Sequence, residues 1–447
     1  MTEESKIPKA RGTAGVEGRI AAVHRLVRIS EDGAFASLVG GERRLNPAAE
    51  RVATELVGGV TRWRAWLDYL AATCYRGPFE SLEPPIKELL RIGTYDLAVA
   101  CTAPHAAVHQ AVEAAGKTVR PGAAKLVNAV LRSLDRKKPW KTDLTRDLPE
   151  ELAVRWSHPQ WMVERWLARF GPEATKKLLE HNNRPPVFSL RVAERREEFE
   201  QFLSDAHVRF SQSTWLDDYI RVERLQPVIR GEWVKGGAVS VQDESAGLVV
   251  RLLDPQPGER IVDGCAAPGG KSRYIHERMA GQGLLMAVDA SETRLRLLEG
   301  LDESPALQTE AADFRDWAEA NPDSADRVLV DVPCTGLGVL SSRADLRWHR
   351  TPEDFDELIP LQTELLNAAA GVVRPGGVLV YSTCSIAPEE NQNRAGAFLA
   401  SHPEFQVEPA DIWLDEALVT PEGYMETFPH RDGVDGAFGV RFRRLAD

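Results

Sequence analysis

Two cysteines stand where this chain could do covalent chemistry. Cys334 lies in Asp331-Val332-Pro333-Cys334-Thr335-Gly336 and Cys384 in Ser382-Thr383-Cys384-Ser385. Each follows a short apolar run that reads as a β-strand, Val328–Val330 and Val378–Tyr381. The thiolate is the reactive form, and a free cysteine with a pKa of about 8.5 is only a few per cent ionised near neutrality. A working thiol therefore needs a cation or a helix N-terminus close by. Alone, either cysteine reads first as a small packing residue. Two at equivalent strand ends, downstream of a ligand-type loop, form a pattern.

That loop is Asp263-Gly264-Cys265-Ala266-Ala267-Pro268-Gly269-Gly270-Lys271. It joins a strand, Arg260–Val262, to a helix starting near Lys271. Its small residues let backbone approach a ligand closely, and the helix start offers unpaired N–H groups. A second strand, Leu284–Val288, ends in Asp289, 19 residues past Gly270, the offset at which open α/β sheets hold a ribose diol. The Gly-x-Gly-x-x-Gly fingerprint of nicotinamide dinucleotide sites is absent. S-adenosylmethionine, which has no phosphate and carries an amino-acid end, suits the loop better. Asp313, after a third strand, is placed to accept from an adenine amino group. Cys265 reads as a packing residue of the turn, and Cys74 and Cys101 as core residues of the helical part.

A methyl-donor loop beside two thiols points to methylation of a pyrimidine through an enzyme–base adduct. Carbon 5 of such a ring is too weak a nucleophile to take a methyl group unaided. Thiolate addition at carbon 6 breaks aromaticity and gives carbon 5 enamine character. On these grounds either thiol could attack.

The elements that must position these groups follow from patterning. At 447 residues the chain exceeds one ordinary core, so two or three domains are expected. From about 16 to 135 apolar residues recur at helical spacing, as in Ile20, Val23, Leu26, Val27 and in Val52, Leu56, Val60, Trp63, with no strand alternation; an all-α bundle is predicted. Arg136 to Asp147 reads as a connector. A mixed segment follows, with a helix over Pro159–Phe170, a break at Asn182 to Pro186, a strand at Val187–Val192 and a helix at Glu194–Ala206. From about 236 strands and helices alternate, including Lys271–Arg278, Glu292–Glu299, Phe355–Val373 and Gln392–Leu399. Pro388 to Asn391 reads as a helix start, and Ala437–Arg443 as a final antiparallel strand. This alternation predicts a doubly wound α/β sheet.

Composition excludes several classes. No apolar run approaches the roughly 18–20 residues of a membrane helix, and Met1 to Lys6 lacks the apolar stretch of a signal peptide. Five cysteines without close pairs form neither a disulfide framework nor a zinc pattern. No metal is expected, and a reducing cytoplasm fits best. The net charge of −12 is unevenly spread: residues 1–140 carry 21 Lys and Arg against 15 Asp and Glu, or +6, leaving 34 against 52, or −18. Arg120, Lys125, Arg132, Arg136, Lys137, Lys138 and Lys141 form a basic stretch opposed by Asp135 alone. Phosphate binding needs such a local stripe, not a basic whole.

The motifs Asp-x-Cys-Ala-Ala-Pro-Gly-Gly-Lys, Asp-x-Pro-Cys-Thr-Gly and Ser-Thr-Cys-Ser, the last followed by Glu389-Glu390-Asn391, resemble signatures of the RNA 5-methylcytosine methyltransferases (the Nol/Nop/Sun group). Pro104-His105-Ala106-Ala107 and Leu126 to Arg132 resemble the NusB-like RNA-binding domain. Their pairing resembles the RsmB-like small-subunit ribosomal RNA cytosine methyltransferases of bacteria. The resemblance implies three parts: a NusB-like helical RNA-binding domain at 1–143, an α+β connecting segment at 144–235 that also binds RNA, and a Rossmann-like methyltransferase domain at 236–447. It implies that Cys384 is the nucleophile and that Cys334 assists product release. S-adenosylmethionine would be held by Cys265, Ala266, Ala267, Pro268, Gly269, Gly270 and Lys271, with Asp289, Asp313 and Asp331. Asp331 would also lie near the target base, and Lys271 would lower the Cys384 pKa or shuttle its proton. Arg347-Trp348 and Pro429 to Gly433 resemble family elements near the RNA. The implied substrate is 16S ribosomal RNA, with a monomer as the default. Transfer RNA as substrate, a non-catalytic RNA-binding factor and a small-molecule methyltransferase are the alternatives.

Overall fold

Prolines and one asparagine set where the first helices begin. In a computed structural model that describes residues 9–34, 45–141, 146–298 and 304–446, α1 spans Lys9–Glu31, α2 Pro47–Ala72, α3 Pro84–Ala98, α4 Pro104–Thr118 and α5 Pro121–Lys137. Proline occupies the first helical position of α2, α3, α4 and α5, where its missing N–H costs nothing and its φ is already helical. Asn46 caps α2, its Oδ1 accepting from Ala48 N at 3.0 Å and Ala49 N at 2.9 Å. The apolar faces meet in one core that includes Leu67, Leu70, Leu89, Leu90, Ile92, Val127, Leu131 and Leu134, all fully buried. Met1 to Lys6 lies outside the described residues. Helices α6 (Pro149–Arg155) and α7 (Gln160–Asn183) follow, the latter kinked at Gly171, whose φ of 74° precedes Pro172. The predicted helix over Pro159–Phe170 is thus the first half of a longer element.

The described chain falls into two compact units: Met1–Arg184 with Leu340–Arg350, and Pro185–Val339 with Thr351–Asp447. The second unit opens with a four-stranded antiparallel sheet of order β2-β3-β1-β4, built from β1 (Phe188–Val192), β2 (Phe210–Gln212), β3 (Tyr219–Val222) and β4 (Val239–Val241). Helix α8 (Arg196–Asp205) and the short α9 (Gln226–Arg230) and α10 (Glu232–Lys235) accompany it. Phe199, Leu203, Val228, Leu190, Ile220 and Val239 close its core. Patterning anticipated β1 and α8 here; β2, β3 and β4 are too short to carry a clear period.

The larger sheet begins after α11 (Glu244–Leu253). Its strands are β5 (Arg260–Asp263), β6 (Leu284–Asp289), β7 (Leu307–Ala311) and β8 (Ala325–Asp331), with α12 (Gly270–Arg278), α13 (Glu292–Leu295) and α14 (Phe314–Ala320) between them. Glu299, the expected end of the helix from Glu292, lies outside the described residues. The chain next supplies Leu340–Arg350, with the single turn α15 (Leu346–His349), to the first unit. It then adds α16 (Asp354–Val372), β9 (Val373–Thr383), α17 (Gln392–Ser401), β10 (Phe405–Val407), β11 (Met425–Thr427), α18 (Pro429–Asp432) and β12 (Ala437–Arg444). Strand order is β10-β12-β9-β8-β5-β6-β7, with β11 beside β12. The five strands from β9 to β7 are mutually parallel, whereas β12 is antiparallel to β9. Neighbouring residues go to opposite faces: Val328 and Val330 pack with Leu365, Leu366 and Ala369 of α16, while Leu329 packs with Leu248, Leu252 and Ile275 of α11 and α12.

One local expectation differs. Cys101 is exposed, not core, because it turns the chain between α3 and α4 with a φ of 52°; Cys74 is half-buried against the helical core. Pro388 to Asn391 forms the turns that open the helix, which starts at Gln392 as expected. Arg347, expected near RNA, is fully buried in the first unit. Its Nη1 donates to Ser157 O at 3.1 Å and Asn183 Oδ1 at 2.8 Å, and its Nη2 to Asn182 O at 3.0 Å and Leu340 O at 3.1 Å. The guanidinium thus closes the carbonyl ends of α6 and α7, and no carboxylate pairs with it among the described residues. Burial, then Arg62, drives its pKa well down.

Removing that fork strands several buried carbonyls at once. Arg347→Ala should destabilise the first unit by about 3 kcal/mol or more, and Arg347→Lys should not restore it, because an ammonium cannot reach acceptors on two sides. Thermal unfolding followed by circular dichroism checks both; an unchanged midpoint in Arg347→Ala would refute the role.

Candidate active site

Five parallel strands deliver their functional groups to one edge. Register places Asp331 of β8 opposite Ser382 of β9, so the loops leaving these strands start level. Cys334 lies three residues past Asp331, and Cys384 two past Ser382. Their sulfurs are 3.3 Å apart. On the other side of β8, Asp263 of β5 pairs with Leu329, and the series continues through Asp289 at the end of β6 and Asp313 just past β7. The chain winds outward from β5 in both directions, so the β5/β8 boundary is the switch point at which α/β sheets open a crevice.

The two thiols differ in environment. Cys334 is buried and Cys384 half-buried. Contact with the Cys384 sulfur and then burial hold the Cys334 pKa well above its usual value, with Glu390 and Asp331 adding to the effect. Cys334 is therefore a thiol at neutral pH. Between β5 and β8, Lys271 Nζ donates to Asp331 Oδ2 at 2.6 Å, and Asp331 Oδ1 accepts from Ser382 Oγ at 2.7 Å. Burial pulls the Lys271 pKa down, but Asp331, followed by Cys384 and Asp263, outweighs it and raises the value overall. Lys271 is thus a fixed cation within electrostatic reach of Cys384, not a ready base.

Behind the thiols stands a support that motif reading quoted without assigning. Glu390 is fully buried. Its carboxylate accepts from Thr335 N at 2.8 Å, from Thr335 Oγ1, and from Gln362 Nε2 at 3.0 Å, and its carbonyl accepts from Tyr381 Oη at 2.6 Å. Gln362 also donates to Pro333 O at 3.0 Å. Asn391 Oδ1 accepts from Thr383 Oγ1 at 2.6 Å, and its Nδ2 donates to Ser385 O at 2.8 Å. Glu390 therefore fixes the backbone on both sides of Cys334, and Asn391 does the same for Cys384. Glu389-Glu390-Asn391 was the available signal; Gln362, on α16, carried none.

The loop Cys265 to Lys271 makes a cradle on the same edge. Gly269 has a φ of 102°, and a Cβ there would fall 2.2 Å from Leu298 Cγ, so only glycine fits. A Cβ on Gly264 would meet the Phe314 ring at 2.7 Å. Asp289 Oδ2 accepts from Ala267 N at 3.0 Å and Oδ1 from Ser291 N at 2.9 Å, which ties the end of β6 to the loop. Asp313 caps α14 through Arg315 N at 2.9 Å and pairs with Arg315 at 2.6 Å; hydrogen bonding from Arg315 holds its carboxyl below the usual range. Cys265 is half-buried at the turn, its thiol pushed up by burial and the surrounding aspartates. Asp289, Asp313 and Asp331 lie along this edge over the buried Asp263, with Lys271 paired to Asp331, Arg315 to Asp313 and Arg294 turned to Ala267 O. The aspartates suit a ligand with a cationic centre and a ribose diol, and Gly269 admits one with little bulk there. S-adenosylmethionine has these features. No cluster of metal-ligating side chains occurs among the described residues.

Comparison with known proteins agrees with this geometry. Residues 250–443 match the family model "16S rRNA methyltransferase RsmB/F", residues 17–136 the NusB family, and residues 158–229 the ferredoxin-like domain of RsmF/B-like methyltransferases. The probable ribosomal RNA small subunit methyltransferase B of Bacillus subtilis (strain 168) is 33% identical over 95% of this chain and 98% of its own. The ribosomal RNA small subunit methyltransferase B of Pseudomonas putida is 32% identical over 94% and 98%. The crystal structure of PH0851 superposes with a TM-score of 0.79 at 26% identity, covering 98% of this chain and all of that one.

Asp263 gives the site a pH signature. Burial raises its pKa from 3.8 to about 6 despite a hydrogen bond from Ser272 Oγ at 2.6 Å. A carboxyl group whose folded pKa is raised stabilises the fold fully below pH 3.8, and that contribution is lost as pH rises through about 6. Asp263→Asn should therefore flatten the stability of the methyltransferase unit between about pH 4 and 6, and raise it near neutrality by up to ~3 kcal/mol. Urea unfolding across that range is the measurement; parallel pH profiles for parent and variant would contradict it.

Proposed function

Because the chain belongs to the ribosomal RNA small subunit methyltransferase B family, we propose that it methylates carbon 5 of one cytosine in 16S ribosomal RNA. The cofactor is S-adenosylmethionine, which when bound supplies the methyl group. The observation that carries the reading is the 3.3 Å pairing of Cys334 and Cys384 beside the Lys271–Asp331 ion pair, at the edge that bears the cofactor loop.

In this scheme the target cytosine is unstacked and its carbon 6 meets Cys384. The cation of Lys271 favours the Cys384 thiolate, which adds to carbon 6 and pushes electron density to carbon 5. Carbon 5 takes the methyl group, and a base removes the carbon 5 proton. The electrons of that C–H bond reform the ring double bond as the sulfur–carbon 6 bond breaks, which returns the Cys384 thiolate. Cys334, in contact with the departing sulfur, assists this release. Asp331 presents an acceptor to the exocyclic amine of cytosine, a group that uracil lacks. Asp289 and Asp313 take the ribose and adenine of the cofactor, and Cys265 to Lys271 line its amino-acid end.

RNA is held by the NusB-like bundle. Lys125, Arg132, Arg136 and Lys138 of α5 and its C-terminus are exposed, and no carboxylate pairs with them among the described residues. Arg120 and Lys117 are instead committed to Glu83 and Glu113. A local row of free cations reconciles phosphate binding with the acidic net charge. No helix of the described residues is long and apolar enough to cross a membrane, and the RNA substrate places the enzyme in the cytoplasm. We take it to act as a monomer.

Cys384→Ala should abolish methylation, at least a thousandfold by loss of covalent catalysis. Cys334→Ala should instead accumulate an RNA–protein complex that survives denaturing electrophoresis. Trapping by Cys384→Ala would exchange the two roles. Bisulfite sequencing of ribosomal and transfer RNA from a deletion strain names the substrate: loss of a single 16S mark is expected, and loss confined to transfer RNA would overturn the assignment.

A further inference from the structure

Gln242 follows β4 and stands beside the cofactor loop without being one of its residues. Its side chain is nine-tenths buried, with 9% exposure. The amide oxygen accepts from Tyr219 Oη at 2.7 Å and from Arg191 Nε at 3.3 Å. An arginine nitrogen can only donate, so the oxygen must face it, and the orientation of the amide is determined. Arg191 is itself anchored, paired with Glu277 and stacked over the Tyr274 ring at 4.4 Å. Gln242 Nε2 therefore points the other way. It lies 3.4 Å from where a Cβ on Gly270 would be, and it donates to no group among the described residues. Gly270 is the exposed first residue of α12, whose opening N–H groups have no helical partner.

Few side chains of this edge are suited to an anion: Asp263, Asp289, Asp313 and Asp331 repel one, Lys271 is paired with Asp331, and the exposed Arg294 is turned to Ala267 O at 2.7 Å. The one anionic group of S-adenosylmethionine is the carboxylate of its amino-acid end, which needs neutral or positive donors. We propose that Gln242 is a cofactor-binding residue, its Nε2–H donating to that carboxylate together with the first N–H groups of α12. The proposal rests on the cofactor reading above and adds a residue outside the loop. Tyr219 and Arg191 become positioning residues that keep the amide from flipping.

Calorimetric titration of the full-length protein with S-adenosylmethionine, and with its decarboxylated analogue, separates the possibilities. Gln242→Ala and Gln242→Glu should each weaken S-adenosylmethionine by about tenfold to a hundredfold, the range for a hydrogen bond to a charged group. Binding of the decarboxylated analogue should change less than about twofold, since it lacks the acceptor. Tyr219→Phe, which frees one side of the amide, should give a smaller loss with the same selectivity. Equal losses for both ligands would make Gln242 a packing residue and overturn the proposal. So would unchanged binding of S-adenosylmethionine, or a loss seen only in RNA affinity. Failure of the unaltered protein to bind either ligand would instead overturn the cofactor reading, and this proposal with it.

Discussion

The parallel pairing of β8 with β9, Asp331 against Ser382, is the constraint from which the rest of the site follows. Two loops that leave neighbouring parallel strands at the same level must begin side by side. Each carries its cysteine two or three residues on, and the sulfurs therefore meet. Slipping the register by one residue would send every side chain of β9 to the opposite face. It would also separate Ser382 from Asp331, and with that the Lys271 ammonium would lose part of its anchor. The sheet is buried on both faces by α11, α12, α14 and α16, so such a slip would expose a core on either side. Ordinary hydrophobic burial thus holds the reacting atoms in place.

Electrostatics then divides labour between chemically identical groups. Two thiols in contact cannot both ionise readily, since the second charge would form against the first. The buried partner, Cys334, keeps its proton, and the half-buried Cys384 is the thiol within electrostatic reach of Lys271. The same logic separates the carboxylates. Asp331 is spent on a cation and a hydroxyl, Asp263 is buried without a cation of its own and titrates near 6, and Asp289 is laced to backbone N–H groups. One residue type therefore fills three different electrostatic settings along one edge.

How much of this was legible depended on whether the signal was local. Strand ends followed by Asp-x-Pro-Cys and Thr-Cys-Ser are local, and the cofactor loop with Asp289 is too, so the α/β half was readable from patterning alone. Helix starts marked by proline were equally plain. The burial of Arg347 gave no local sign, because it comes from carbonyls of Ser157 and Asn182, more than 160 residues away. Cys101 misled because a small apolar residue in a helical region reads as core, but it sits in a turn with positive φ. Gln362 and Gln242 gave no signal, since an amide becomes informative only when its partners are known.

The acidic balance of the chain, at first sight unfavourable for an RNA enzyme, has a physical use. Under the proposed function, the carboxylates of the cofactor edge would attract a sulfonium and repel phosphate, which would keep the RNA backbone from the cradle while a base enters it. Under the same reading, the exposed cations of α5 would attract the phosphates that the carboxylates repel. An enzyme basic throughout would hold RNA more tightly and less selectively, because non-specific phosphate contacts cost nothing in sequence or shape. Segregating the two signs would let one stretch supply affinity and another admit only a base, which is what modifying a single ring in a long polyanion requires.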